Sequence, residues 1–286
     1  MIDIIVSSEG PLVRGSDRRA RILMRQGGSA ANQAVWLAHF GVAVDFVARV
    51  GAADLAAQEE IFRRAGVTPY LSGDPRLETG RLIALVDRDG ERSFFTDRAA
   101  NEALDKSDIE AAPFATAALV HLSGYSFFSP KPRAAAIEAM ARAKALDIPV
   151  SIDPASAGFL REVGADQFLA WTAGASMIFP NGEEAQALTG RADEDEQLRA
   201  LAALYPLVVI KRGASGAQMA EGEARSRQAA TPCEVIDTTG AGDAFVAGFV
   251  AGWMRGSPRD RCLAQAVNAG TRATQTPGGR PGPSLS

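Results

Sequence analysis

The stretch DTTGAGDAF, residues 237–245, sets a carboxylate one step past a turn of small residues. The residues before it, CEVID at 233–237, read as the end of a strand. Residues 238–242 read as a turn and 243–255 as a helix, with Phe245, Phe249 and Gly252 on one side. A turn that opens a helix offers N–H groups with no partner inside the helix, and the helix dipole is positive there. Together these make an anion site. Gly240, Ala241 and Gly242 are small enough for a phosphate to approach the backbone, and Asp243 then stands beside it, placed to take a proton from a hydroxyl. Donors for growing negative charge next to a carboxylate that activates an alcohol are what phosphoryl transfer requires. A purely structural strand–helix turn uses the same small residues, so the rest of the chain has to separate the two readings.

Two better-known phosphate loops are excluded. No G-x-x-x-x-G-K-[ST] occurs, and Phe245 stands where a dinucleotide loop has its third glycine. Only two histidines exist, His39 near the end of an expected helix and His121 inside an expected strand, which gives a Ser-His-Asp hydrolase little to work with.

The elements that must hold this turn alternate along the chain. Strands are expected at 2–6, 44–50, 117–123, 148–153, 176–180 and 207–211, and helices at 29–41, 55–66 and 133–146. Ser29 is a candidate cap and Gly41 the stop of the first helix. Short apolar strands separated by helices predict an α/β fold, doubly wound, with a mostly parallel sheet covered by helices on both faces. Residues 81–97 break the rhythm, being two strand-like runs around Asp89-Gly90, a strong hairpin signal. They predict an antiparallel flap, and about 10–26 joins 79–98 to make a small β lid over a single domain spanning 1–286. Arg98, just after the flap, is placed to reach substrate or phosphate. The tail TPGGRPGPS at 276–284 is irregular by composition, either free or folded back.

Composition narrows the partners. The chain has 286 residues, 47% of them hydrophobic, and a formal net charge of -4 from 30 basic and 34 acidic residues. No basic surface advertises nucleic acid. The longest apolar run, Ala244 to Met254, is too short to span a bilayer. Cys233 and Cys262 form neither a C-x-x-C pair nor a zinc-like cluster and read as reduced thiols. With no signal peptide evident, the expected location is the cytoplasm. Exposed apolar flap faces often pair, so a homodimer through the lid is an expectation.

The sequence resembles the ribokinase-like, or PfkB, carbohydrate kinases over nearly its whole length. DTTGAGDAF closely matches that family's C-terminal signature, and GGSAANQAVWLAHFG at 27–41 its N-terminal one. The resemblance implies an ATP-dependent sugar kinase. Asp243 is then the catalytic base, and Gly240, Ala241 and Gly242 form the anion hole for the γ-phosphate. Gly28 and Asn32 contact the sugar, as does Asp3 in the first strand. FPNGEEAQALTG at 179–190 resembles the family's N-x-x-E segment, which sets Asn181 and Glu184 near the triphosphate and Mg²⁺, Glu184 acting through water. VVIKRGASGA at 208–217 supplies Lys211, Gly213 and Gly216 beside the nucleotide, and Asn268 is expected near the adenine. A monovalent cation such as K⁺ is implied at Asp237, Thr239, Ala273 and Gly278.

Two departures from the pattern bear on the acceptor. The Gly-Asp or Gly-Asn that usually precedes the first strand's Asp has no counterpart, and the last glycine of V-G-x-D-x-x-G is lost in VGAADLAAQ at 50–58. A nucleoside kinase of the same fold is the nearest competing expectation. A sugar sensor without turnover and a dehydrogenase stand further off.

Overall fold

The computed structural model describes residues 1–10, 14–86 and 92–282. The chain opens with strands β1 (Ile2–Ser8) and β2 (Ala20–Gln26), helix α1 (Ser29–His39), strand β3 (Asp45–Gly51), helix α2 (Leu55–Arg64) and strand β4 (Thr68–Asp74). Strands β5 (Arg81–Val86) and β6 (Arg92–Asp97) follow, then the short helix α3 (Lys106–Glu110). A regular alternation runs through β7 (Val120–Ser123), α4 (Pro130–Ala145), β8 (Val150–Asp153), α5 (Ala157–Val163), α6 (Ala165–Trp171), β9 (Met177–Ile178), α7 (Gly182–Thr189), α8 (Glu194–Ala202) and β10 (Leu207–Lys211). The chain closes with β11 (Ala217–Glu221), β12 (Ala224–Gln228), α9 (Ala241–Met254) and α10 (Arg259–Ala273).

The main sheet has the order β12-β11-β10-β9-β8-β7. Strands β7 to β10 pair in parallel, and β11 and β12 add an antiparallel edge. Its middle strands are buried on both faces because successive side chains of a strand point to opposite sides. Leu207 and Val209 join Phe179, Phe245, Phe249 and Leu263 in the core under α1, α9 and α10. Val208 and Ile210 join Ile152, Ile178, Phe168 and Leu198 in the core under α4 to α8. Burying each such side chain is worth roughly 1.5–3 kcal/mol. Strands β3 and β4 pair only with each other, so residues 44–50 do form a strand, but one outside the main sheet.

The lid is a second sheet of order β2-β1-β5-β6. The expected flap pairing holds: β5 and β6 are antiparallel, from Arg81↔Asp97 to Val86↔Arg92. The Asp89-Gly90 turn itself lies outside the described residues. Residues 2–6, expected to begin the parallel alternation, instead form a central strand of the lid, antiparallel to β2 and parallel to β5. Their half-buried, two-sided pattern matches a thin sheet better than a core strand.

Two boundaries moved for physical reasons. Residues 233–237 are not a strand: Ile236 and Asp237 both donate their N–H to the Thr274 carbonyl, a loop contact rather than a ladder, and Val235 and Ile236 are exposed. The last helix pair starts earlier than expected, at Ala241, because Gly240 takes the left-handed conformation (φ +73°) that ends the turn. Helix α9 then packs against α10 so closely that a Cβ on Gly248 would lie 2.9 Å from the Ala269 Cβ. The described part of the tail folds back over the α9 N-terminus.

Candidate active site

The carboxyl ends of β8, β9 and β10 face the N-terminus of α9, the crevice where open α/β sheets bind ligands. Gly240 is the N-cap of α9, so Ala241, Gly242 and Asp243 fill its first turn. The Ala241 N–H leans on the Thr238 carbonyl at 3.3 Å, while no described residue accepts the N–H of Gly242 or Asp243. Those two amides are open at the positive end of a helix of 14 residues. A Cβ on Gly240 would sit 2.4 Å from Gly279, and one on Gly279 would sit 2.5 Å from Asn32 Nδ2. The turn, the returned tail and α1 therefore meet with no room for side chains.

Asp243 is buried, and two α1 residues hold its carboxylate. Ser29 Oγ donates to Oδ1 at 2.8 Å and Asn32 Nδ2 donates to Oδ2 at 3.0 Å. Burial pushes its pKa up to about 7, and the nearby Asp153 adds to the rise; the Ser29 and Asn32 hydrogen bonds and Lys211 oppose it. A general base works best with a pKa near the working pH. The expected cap on α1 is corrected here: Gly28 (φ +93°) is the N-cap, with no side-chain cap bond, and the Ser29 hydroxyl is spent on Asp243.

Asp153 ends β8 and was not foreseen as a site residue. Lys211, at the end of β10, donates to its Oδ1 at 3.0 Å, and Gln33 Nε2 donates to its Oδ2 at 2.8 Å. Gln33 Oε1 is therefore free to accept, which makes His121 Nε2 the donor at 2.7 Å and leaves His121 Nδ1 to accept from Ser151 Oγ at 2.7 Å. Burial pushes His121 down to about 4, so this histidine is a neutral link that positions Gln33 and Asp153. Burial alone would lower Lys211, but Asp153, Glu184 and Asp243 outweigh it and hold the ammonium above its ordinary range. A Cβ on Gly242 would stand 3.7 Å from Lys211 Nζ, so the ammonium borders the open amides.

Asn181 and Glu184 cap α7 reciprocally. Glu184 N–H donates to Asn181 Oδ1 at 2.9 Å, and the Asn181 N–H and Nδ2 each donate to Glu184 at 2.8 Å. Burial raises Glu184 to about 7, with Lys211 opposing and Asp153 adding. Asp153, Glu184 and Asp243 thus set three buried carboxyl groups against one buried ammonium. Among the described residues no three such groups are placed to hold a metal directly, so a Mg²⁺ here would keep its water shell and arrive with phosphate oxygens.

A cleft of about 580 Å³ leaves this cluster along α9 and α10, lined by Lys211 and Gly242 at one end and by Gly216, Pro232, Val267 and Thr274 further out. Gly213 also lines it. Gly216 has φ +92°, and a Cβ there would fall 1.9 Å from the Gln228 carbonyl oxygen. Asn268 is exposed and lines a second pocket with Trp36, His39 and Arg272, not the cleft of Lys211 and Gly242. Helical spacing decides this, since Val267, Gly270 and Thr274 share one face and Asn268 does not.

Asp237 binds two backbone segments, accepting from Thr239 N–H at 2.9 Å and Gly278 N–H at 2.9 Å. The structure thus brings Asp237, Thr239 and Gly278 together. The Ala273 carbonyl accepts the Thr276 N–H at 3.3 Å and the Thr276 hydroxyl at 3.4 Å.

Asp3 lies against Gly27, where a Cβ would fall 2.1 Å from its carboxylate. No described residue donates a hydrogen bond to it, and burial raises its pKa. Arg98 stacks over the Tyr125 ring at 4.4 Å and donates Nη1 to the Tyr125 carbonyl at 3.0 Å. Arg280, which carried no sequence signal, donates Nε to Asn32 Oδ1 at 3.2 Å. Ser29 and Gln33 were legible only as neighbours of Asn32, and Asp153 only as the last residue of a strand.

Comparison with known proteins adds an independent line. The chain matches the family model described as pfkB family carbohydrate kinase over residues 1–284. It is 32% identical over 269 residues to an ATP-dependent ribose-1-phosphate kinase of Halopiger xanaduensis, covering 90% of this chain and 83% of that protein. It is 30% identical over 265 residues to a fructokinase of Vibrio alginolyticus, covering 88% and 80%. The crystal structure of adenosine kinase from Sinorhizobium meliloti superposes with a TM-score of 0.90 at 26% identity, covering 100% of this chain and 94% of that one.

The hydrogen bonds to Asp243 carry a pH prediction. Raised to about 7, Asp243 is ionised above that pH; with Asp243 as the proton acceptor, kcat/KM is expected to fall as pH drops through about 7, approaching tenfold per unit below it. Ser29→Ala removes a donor that favours the charged form, so the acidic limb of the kcat/KM profile moves to higher pH. An unmoved limb would show that another group titrates.

Proposed function

The chain belongs to the pfkB family of carbohydrate kinases, and from that premise we propose that it transfers the γ-phosphate of ATP to a primary hydroxyl of a sugar or sugar acid, with Asp243 as the general base. Membership makes it a phosphotransferase with an alcohol group as acceptor. One observation carries the assignment of the base: a buried carboxylate with pKa about 7 stands in the same helical turn as two unpartnered amides, at the mouth of a cleft sized for a nucleotide.

The acceptor hydroxyl approaches Asp243, its proton passes to Oδ1 or Oδ2, and its oxygen forms the new bond to phosphorus as the bond to the ADP oxygen breaks. Ser29 and Asn32 hold the carboxylate still. The Gly242 and Asp243 amides and the Lys211 ammonium receive the charge that spreads over the equatorial oxygens. Gly240 lets the turn close against the tail, and Ala241 begins the helix without blocking the phosphate. Asn181 would stand beside the triphosphate and Glu184 would hold Mg²⁺ through a water, and the ion when bound would supply neutralisation of phosphate charge. Lys211, Gly213 and Gly216 border the nucleotide, while Asp3, Gly28, Asn32 and Arg98 face the sugar. The lid keeps solvent water from competing with the hydroxyl.

A nucleoside acceptor is the second reading. It is favoured by the aromatic group of Tyr125, Phe128 and Phe159 beside Arg98, and by the similarity to the adenosine kinase fold. We also propose that K⁺ settles beside Asp237, Thr239, Ala273 and Gly278, where the Thr239 and Gly278 backbones meet on the Asp237 carboxylate. Two copies would pair through the lid face, on which Met24, Ile4, Ile83 and Phe95 form one cross-strand row with three members exposed.

Asp243→Asn keeps the shape and loses the base. In an ATP-consumption assay over ribose, fructose, 2-keto-3-deoxygluconate and adenosine, kcat drops by about 10²–10⁴ with nucleotide affinity nearly constant. A variant with near-normal kcat would sink the mechanism. Replacing K⁺ by a bulky organic cation at constant ionic strength lowers the rate, and equal rates would remove the cation. Light scattering gives twice the chain mass for the wild type and the single mass for Phe95→Glu; a monomeric wild type would dismiss the lid pairing.

A further inference from the structure

Some half-buried arginines in this chain close on carboxylates. Arg49 meets Asp74 at 3.2 Å and Asp108 at 3.0 Å, and Arg259 meets Glu221 at 3.0 Å. Two arginines near Asp243 do not. Arg280 spends Nε on Asn32 Oδ1 at 3.2 Å, and Asn32 in turn donates to Asp243 Oδ2 at 3.0 Å, so a single side chain separates the guanidinium from the base. Its Cζ lies 5.2 Å from the centre of the Phe62 ring. Its terminal nitrogens have no hydrogen-bond or ion-pair partner among the described residues. Asp3 is close enough to act on it electrostatically, yet the two form no ion pair within 4 Å. Burial pushes Arg280 down to about 10 against the pull of Asp3, which leaves it charged at neutral pH.

Arg98, after β6, repeats the pattern. Its Nε is buried with no acceptor, and its Nη1 reaches only a backbone carbonyl. Tyr125 beneath it is raised by burial, with Arg98 opposing and Glu184, Asp243 and Asp153 adding to the rise. A desolvated guanidinium without an anion is costly unless a ligand supplies one, and its planar fork matches phosphate and carboxylate.

We propose that the acceptor is itself an anion, a sugar bearing a phosphate or carboxylate group that Arg280 binds, with Arg98 as a second cation at the foot of the lid. The word acceptor rests on the kinase reading above; the binding of an anionic sugar does not.

The test compares wild type, Arg280→Gln and Arg280→Lys with ribose, ribose 1-phosphate, ribose 5-phosphate, gluconate, 2-keto-3-deoxygluconate and adenosine, by ATP consumption and by thermal shift without nucleotide. The wild type turns over at least one anionic sugar with kcat/KM about tenfold or more above the neutral compounds. Arg280→Gln lowers that ratio by about 10- to 100-fold, chiefly through KM, as loss of one charged hydrogen-bonding group does, and Arg280→Lys restores part of it. The phosphate and carboxylate arms identify the group. A preference for ribose or adenosine, or an equal loss for charged and neutral acceptors in Arg280→Gln, overturns the proposal. Thermal stabilisation by an anionic sugar that Arg280→Gln abolishes, without any turnover, upholds it and removes the kinase reading. Neither turnover nor stabilisation with any anionic sugar overturns the proposal, and no turnover of any of the six compounds removes the kinase reading as well.

Discussion

Burial of the Asp243 carboxylate at the head of α9 is the constraint on which the site turns. A carboxylate in that position would ordinarily be driven low by helix dipole and hydrogen bonds, and here desolvation wins, lifting it to about 7. The neighbouring Asp153 reinforces the effect and Lys211 limits it. Each of these groups comes from a different element: Asp153 from β8, Lys211 from β10, Ser29 and Asn32 from α1. Moving any one element would shift the balance of charge that sets the base.

The scaffold is built to keep those elements fixed. The two apolar cores lock the strand ends in register from both faces of the sheet. A neutral chain from Ser151 through His121 and Gln33 pins Asp153 from within. Buried histidine and glutamine serve this better than charged residues, because they supply directed hydrogen bonds without adding to the excess of acid. The lid is a thin sheet with exposed apolar side chains, joined to the body near Asp3 and Arg98, which suits an element that covers the acceptor side.

The returned tail joins the nucleotide and acceptor sides. Gly278 is tied to Asp237, Gly279 accepts from Trp36 Nε1 at 3.0 Å, and Arg280 bonds Asn32. Three consecutive residues therefore touch the segment before the glycine turn, the first helix and the asparagine that holds Asp243.

The sequence by itself determined the doubly wound plan, the flap and the glycine turn with its acid, because periodicity, Asp-Gly pairing and small residues at a helix start are local signals. Lys211, Asn181 and Glu184 were legible only through the family resemblance, since by themselves they read as an ordinary strand end and helix start. What only the tertiary structure decided is which distant residues share the acid's environment. Asp153 and Gln33 look like ordinary strand and helix residues until the sheet brings them to Lys211. Asn268 lines a different pocket from its neighbour Val267, since one residue along a helix is a turn of 100°. Arg280 sits in a stretch of glycine and proline that has no period, so nothing local marks where it goes. Its place beside Asn32 comes from glycine contacts too tight for any side chain, and these exist only once the chain has folded.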